Sequence, residues 1–101
     1  MIARMWRGVV AQADADEYGT YIEQTGLAEY TQTPGNRGIY FLRRDYDGKT
    51  EFRTFSLWED LDAVKAFAGE DYERSVYYPE DDRYLIEKDE HVLHFEVIAA
   101  P

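Results

Sequence analysis

The chain contains no cysteine. Disulfide frameworks, thiolate nucleophiles and thiolate-held zinc or iron–sulfur clusters are therefore excluded. Histidine is almost as scarce: the only two, His91 and His94, sit in the closing segment HVLHFEVIAAP. Positive charge is short as well, with 11 Lys and Arg against 21 Asp and Glu and a net charge of −10. Like charges repel across a Debye length of about 8–10 Å, so neither nucleic acid nor an anionic membrane is expected as a partner. Long apolar runs are missing too. The opening MIARMWRGVV is interrupted by Arg4 and Arg7, unlike a signal-peptide core or a membrane span, and a cytoplasmic protein is expected. No repeat or low-complexity linker divides the 101 residues, which are expected to form a single domain over 1–101.

What the chain has in abundance is aromatic side chain, 16% of residues including nine tyrosines and two tryptophans. That content suits a pocket or an interface as well as a core.

Local pattern orders the elements. Residues 2–10 read as a strand. Asp14 is placed to cap a helix with Glu17 as its capping-box partner; Tyr18, Tyr21, Ile22 and Thr25 form its buried stripe, and Gly26 ends or kinks it. TPGNRG (33–38) is a turn without the spacing of a phosphate-binding fingerprint. Asp47-Gly48 between GIYFLRRD and TEFRTFSLW is a hairpin signal. A second helix starts near Asp60, buries Leu61, Val64, Phe67 and Ala68, and stops at Gly69. The stretch from Asp71 predicts a helical turn ending before Pro79, then an irregular acidic segment. HVLHFEVI is a closing strand. The order β-α-β-β-α-β predicts an α+β, ferredoxin-like fold with two helices on one face of a four-stranded antiparallel sheet.

Alternation along the strands sorts the side chains into two sets. Ala3, Met5, Ile39, Phe41, Phe55, Leu57, Leu93, Phe95 and Val97 are almost purely apolar and are expected beneath the helices. Arg4, Trp6, Tyr40, Leu42, Thr54, Ser56, Trp58, Val92, His94 and Glu96 form an aromatic and polar face. Left in water this second face would be a large exposed patch, so a second copy of the chain is expected to cover it, enclosing a mixed pocket in a homodimer.

Strand geometry also separates the histidines, because i and i+3 on a strand point to opposite sides. A joint metal site is not expected. His91 belongs at the exposed start of the strand. His94 is mid-strand on the aromatic-polar face, where it is either a hydrogen-bonded structural residue or a general base. Glu80, Asp81 and Asp82 lack the ligand spacing and glycine of a calcium loop and read as a solvated segment.

MIARMWRG, TPGNRGIYFLRR, FSLWED, FAGEDYERSVYYPEDDRYL and HVLHFEV together resemble the antibiotic biosynthesis monooxygenase domains of the dimeric α/β-barrel superfamily, over almost the whole chain. The resemblance implies a homodimer and a pocket between sheet and helices for a small aromatic or polyketide-like substrate. In its oxygenase branch the resemblance also implies oxygenation without metal or flavin. The substrate supplies the electrons, and the protein supplies a dry cavity, a base and stabilisation of an anion. On that basis His94 and Arg4 are the catalytic candidates, with His94 as base and Arg4 beside a developing phenolate. Trp6 and Trp58 are candidate ring platforms, and Tyr40, Thr54, Ser56, Tyr77 and Tyr78 candidate substrate contacts. Each has a structural alternative: the tryptophans as dimer core, Arg4 in an ion pair with Glu96 or an acid of the partner, the tyrosines pinning a loop. A non-catalytic ligand-binding or sensing dimer is the rival reading, and a haem- or metal-dependent member a second. The haem-degrading branch carries a haem-ligating histidine on the second helix, whereas EDLDAVKAFAG has none.

Overall fold

The computed structural model describes all 101 residues. Strand β1 (Ile2–Ala11) is central, β2 (Asn36–Tyr46) and β3 (Lys49–Trp58) form the hairpin, and the sheet order is β2-β3-β1-β4. The edge beyond β1 is shared by two short strands. β4 (Leu85–Lys88) pairs with Gly8–Val10, and β5 (Leu93–Glu96) pairs with Ile2–Met5. The expected fourth strand is thus two pieces, giving five antiparallel strands in the ferredoxin-like order.

The hairpin turn is as expected, with φ +51° at Asp47 and +72° at Gly48, the left-handed pair that matches strand twist. Asp60 caps α3 (Leu61–Ala68) by accepting the Ala63 N–H at 2.9 Å. Three local expectations fail. Asp14 makes no capping bond; a 3₁₀ turn, Gln12–Asp14, leads into α1 (Ala15–Ile22) instead. Gly26 does not end that helix, which passes through a π turn, Glu23–Leu27, into α2 (Ala28–Gln32). No helix precedes Pro79. The segment is tied by backbone bonds from Ser75 N to Glu90 O and Val92 N to Glu73 O, and the helical turn α4 (Asp81–Tyr84) follows the proline.

The two faces of the sheet are exchanged relative to expectation on three strands. Cross-strand pairs place Arg4 with Ser56 and His94, and Trp6 with Thr54. These lie on the helix-covered side, where Trp6, Tyr18, Ile22 and Phe52 form one core cluster and Tyr30, Trp58, Val64 and Phe67 another. On β2, Ile39 and Phe41 sit opposite Ser56 and Thr54 and are beneath the helices as expected. Met5, Phe55, Leu57, Leu93 and Phe95 share the open face, with Leu93 59% and Phe95 50% exposed. The reason is local satisfaction of polar atoms. Trp58 Nε1 donates to Ser56 Oγ at 3.0 Å, and Ser56 Oγ donates to the Arg4 carbonyl at 3.3 Å. With the Ser56 hydroxyl paired internally, this face buries two tryptophans worth roughly 4–6 kcal/mol each in transfer free energy. The open face carries Phe55 and Phe95 but no tryptophan.

At the hairpin end of the open face, Arg7, Arg44 and Arg53 converge on Glu51, with Nε–carboxylate distances of 3.0, 3.3 and 2.9 Å. Glu51 is 4% exposed, and hydrogen bonds from Arg44, then Arg53, hold its pKa down to about 2. A depressed folded-state value means that the pairing stabilises the fold above the ordinary glutamate value of about 4.3. The contribution is lost as pH falls through about 2. Glu51→Gln is expected to melt earlier than wild type at pH 6, with the gap closing towards pH 2 in circular-dichroism melts. A gap that does not change with pH refutes the assignment.

Candidate functional site

Beneath α1, the π turn and the segment 76–81 lies a cavity of about 30 Å³ lined by Arg4, Trp6, Tyr18, Ile22, Gly26, Tyr30, Thr54, Val76, Tyr78, Asp81 and Val92. That volume holds a water or two, a water needing about 10–15 Å³. Its floor is β1 and β3, its wall the tyrosines of the first helical segment, and its roof residues 76–81.

Arg4 dominates the floor. It is 1% exposed, and none of the chain's ion pairs includes it. Its Nη1 donates to the Tyr72 carbonyl at 2.8 Å and lies 3.0 Å from His94 Nε2. The Phe67 ring sits 5.7 Å from the guanidinium carbon. Nε has no partner, and neither has Thr54 Oγ1. Burial draws the Arg4 pKa downward, partly offset by Tyr30, but a guanidinium stays protonated in a protein. The site therefore holds a buried cation without a counter-ion and two unsatisfied polar atoms, each orphan costing about 1–3 kcal/mol.

His94 shares a face with Arg4 as expected, and of its two readings the geometry fits the hydrogen-bonded one. It faces inward, but its Nε2 is held by Arg4, so that nitrogen is an acceptor and any ring proton is on Nδ1. Burial, then the Arg4 charge, lowers its pKa. Its ring packs edge-on against Tyr72 at 5.3 Å, and it does not line the cavity. His94 therefore positions Arg4 and is not free to act as a base. The expected alternative for Arg4, a pair with Glu96, is absent; its hydrogen-bond partners are Tyr72 and His94.

The other candidates divide. Trp6, Thr54 and Tyr78 line the cavity. Trp6 Nε1 donates to Tyr77 Oη at 3.1 Å, and Tyr77 Oη donates to the Asp89 carbonyl, so Tyr77 braces Trp6 from outside. Tyr78 Oη donates to Glu29 Oε2 at 2.5 Å. Trp58 and Ser56 are fully buried behind Arg4 as core. Tyr40 is a correction: it is 59% exposed, opposite Phe55 on the open face, and away from the cavity.

Asp81 was missed. Read as solvated, it is 2% exposed, accepting from Tyr18 Oη at 3.1 Å and from Tyr78 N at 2.6 Å. Burial raises its pKa, against the opposing pull of those hydrogen bonds, and raises that of Tyr18 far above the ordinary range. Three consecutive acids look alike in sequence, and only the docking of α4 distinguishes the middle one. Tyr18 carried a signal, as part of the buried stripe of α1. No group of three or more His, Asp and Glu side chains converges to hold a metal.

Solved structures share this architecture. A Bacillus cereus protein designated an antibiotic biosynthesis monooxygenase superposes with a TM-score of 0.66 at 16% identity, over 99% of this chain and 95% of that one. This chain has their fold. The haem degrader MhuD from Mycobacterium tuberculosis, with two haems bound in its active site, matches at 0.66 and 18% identity, over 100% and 99%. An uncharacterised NIPSNAP domain protein from Burkholderia xenovorans matches at 0.61 and 17%, over 100% and 99%. No family model and no curated protein matches the chain. A haem does not fit the residues present. His91 is exposed and bridged to Arg74, His94 Nε2 is engaged by Arg4, and the cavity is about 30 Å³.

His94 is expected to titrate below its ordinary value of about 6.5, followed by NMR of its ring protons. Arg4→Gln removes the neighbouring cation and shifts that midpoint upward. An unchanged midpoint breaks the coupling.

Proposed function

We propose that the chain is a single-domain, cytoplasmic, homodimeric antibiotic-biosynthesis-type monooxygenase, acting without a cofactor on a small aromatic substrate with an acidic hydroxyl. One observation carries this reading: Arg4, buried without a carboxylate and with Nε unpartnered at an aromatic-walled cavity. A buried unpaired cation is costly, and a ligand oxyanion is the group that relieves it. Trp6 and Tyr30 supply flat apolar wall, and Thr54 Oγ1 a second polar contact. Once ionised, an electron-rich phenol or enol reduces oxygen itself. Oxidation of a ring CH₂ to C=O with release of water consumes one O₂ and leaves no electrons to be supplied. The protein's own work is to stabilise the anion and exclude water.

A ring requires more room than the cavity offers, so entry needs outward displacement of the Val76 and Tyr78 side chains, with Asp81 staying bonded to Tyr18 Oη and Tyr78 N. The closed cavity also favours the second reading, a non-catalytic ligand-binding dimer, since a site that opens only for its ligand suits sensing equally well. Oxygen uptake with a panel of anthrones and dihydroxyarenes separates the two. Uptake is expected for wild type, with kcat/KM about 10²–10³-fold lower in Arg4→Gln, the size of effect for losing one oxyanion donor. Binding without uptake across the panel supports the sensor and rejects the oxygenase.

The dimer forms through the open sheet face, where Tyr40, Leu42, Phe55, Leu93 and Phe95 make an apolar surface of the kind that marks an interface. Sedimentation is expected to give a dimer for wild type and a monomer for Leu93→Asp/Phe95→Asp. A monomeric wild type rejects the interface.

A further inference from the structure

We propose that Asp81 is the proton acceptor of this pocket, taking the hydroxyl proton of a bound phenol or enol while Arg4 takes up the resulting oxyanion. The inference rests on the small-ligand reading of the cavity above and adds the base that His94 does not supply. Asp81 lines the same cavity as Arg4 and is 2% exposed. Its two bonds, from Tyr18 Oη at 3.1 Å and Tyr78 N at 2.6 Å, occupy two of the roughly four acceptor positions of a carboxylate. Buried carboxylates favour the neutral form, so transfer of a proton to Asp81 removes a strained charge from one side of the cavity. It places the charge on the ligand oxygen, where a guanidinium waits. In the step the ligand O–H bond breaks, its electron pair stays on the ligand oxygen, and a new O–H bond forms on the carboxylate. The ionisable groups facing Asp81 are Tyr18 from α1, Tyr78 of the roof, Asp82 of α4, and Lys88 of β4, which is itself paired with Asp82. Arg4 lies on the floor.

The test uses p-nitrophenol, whose phenolate has a visible absorption band, on the full chain. In wild type one proton is shared between probe and Asp81, so the bound probe is expected to keep a constant phenolate fraction over a pH plateau. In Asp81→Asn the proton leaves to solvent, and the band is expected to follow a simple titration. Tyr18→Phe removes a donor to Asp81 without altering the ring, which makes Asp81 the better acceptor; its plateau is expected to lie at least about twofold higher in phenolate-to-phenol ratio, the direction set by losing a hydrogen bond to the charged form. Identical titrations in wild type and Asp81→Asn, or a Tyr18→Phe plateau no higher than that of wild type, overturn the role of Asp81 while leaving the pocket standing. No binding of the probe to wild type overturns the pocket and the proposal together.

Discussion

A guanidinium buried beneath two helices with no carboxylate beside it is the constraint around which this fold is arranged. Arg4 sits on the central strand, so every group that relieves it comes from a different part of the chain. Tyr72 offers a carbonyl from the loop after α3 and His94 an imidazole nitrogen from β5. Phe67 offers a ring from α3. None of these neutralises the charge. A positive centre held in a low-dielectric site by dipoles and a π face favours an anion.

The roof depends on the same economy of polar groups. Tyr77, Tyr78 and Asp81 each spend a hydrogen bond joining 76–81 to another element: to Trp6, to Glu29 and to Tyr18. Glu80 N adds one to Tyr21 Oη at 3.1 Å. Gly26, on the π turn, leaves the Tyr78 ring 3.5 Å from where a Cβ would stand, so the irregular turn and the roof fit against one another. A π turn in mid-helix is a common accompaniment of a functional site. Here it places Gly26 at the cavity wall and turns Tyr30 towards Trp58 and Phe67.

Much of the fold was legible because its signals are local. Asp47-Gly48, the Asp60 cap, the Gly69 stop and the element order each depend on a few adjacent residues. The register of the cavity was half legible. Arg4, Trp6 and Thr54 were grouped on one face because alternation is exact along β1 and β3, yet that face was assigned to a dimer partner instead of the helices. The error lies in judging burial by polarity alone. Ser56 Oγ accepts from Trp58 Nε1 and donates to the Arg4 main-chain carbonyl, and that cancellation leaves no trace in hydropathy. Tyr40 falls on the other side because the two-residue hairpin turn pairs Tyr46 with Lys49 and hence Tyr40 with Phe55, a register that alternation within each strand does not reveal.

By itself the sequence determined the chemistry available and the elements that carry it. It excludes thiol chemistry and sets an acidic chain, one inward histidine, and a β-α-β-β-α-β order with an arginine and a tryptophan side by side on the first strand. Tertiary structure alone decided which of these groups meet. It turned His94 from a candidate base into a support for Arg4, and it lifted Asp81 out of an acidic run into a buried bond with Tyr18. The physical reason is that reactivity here follows from desolvation and hydrogen-bond partners. Both are properties of segments more than sixty residues apart in the chain that come into contact only when the helices close over the sheet.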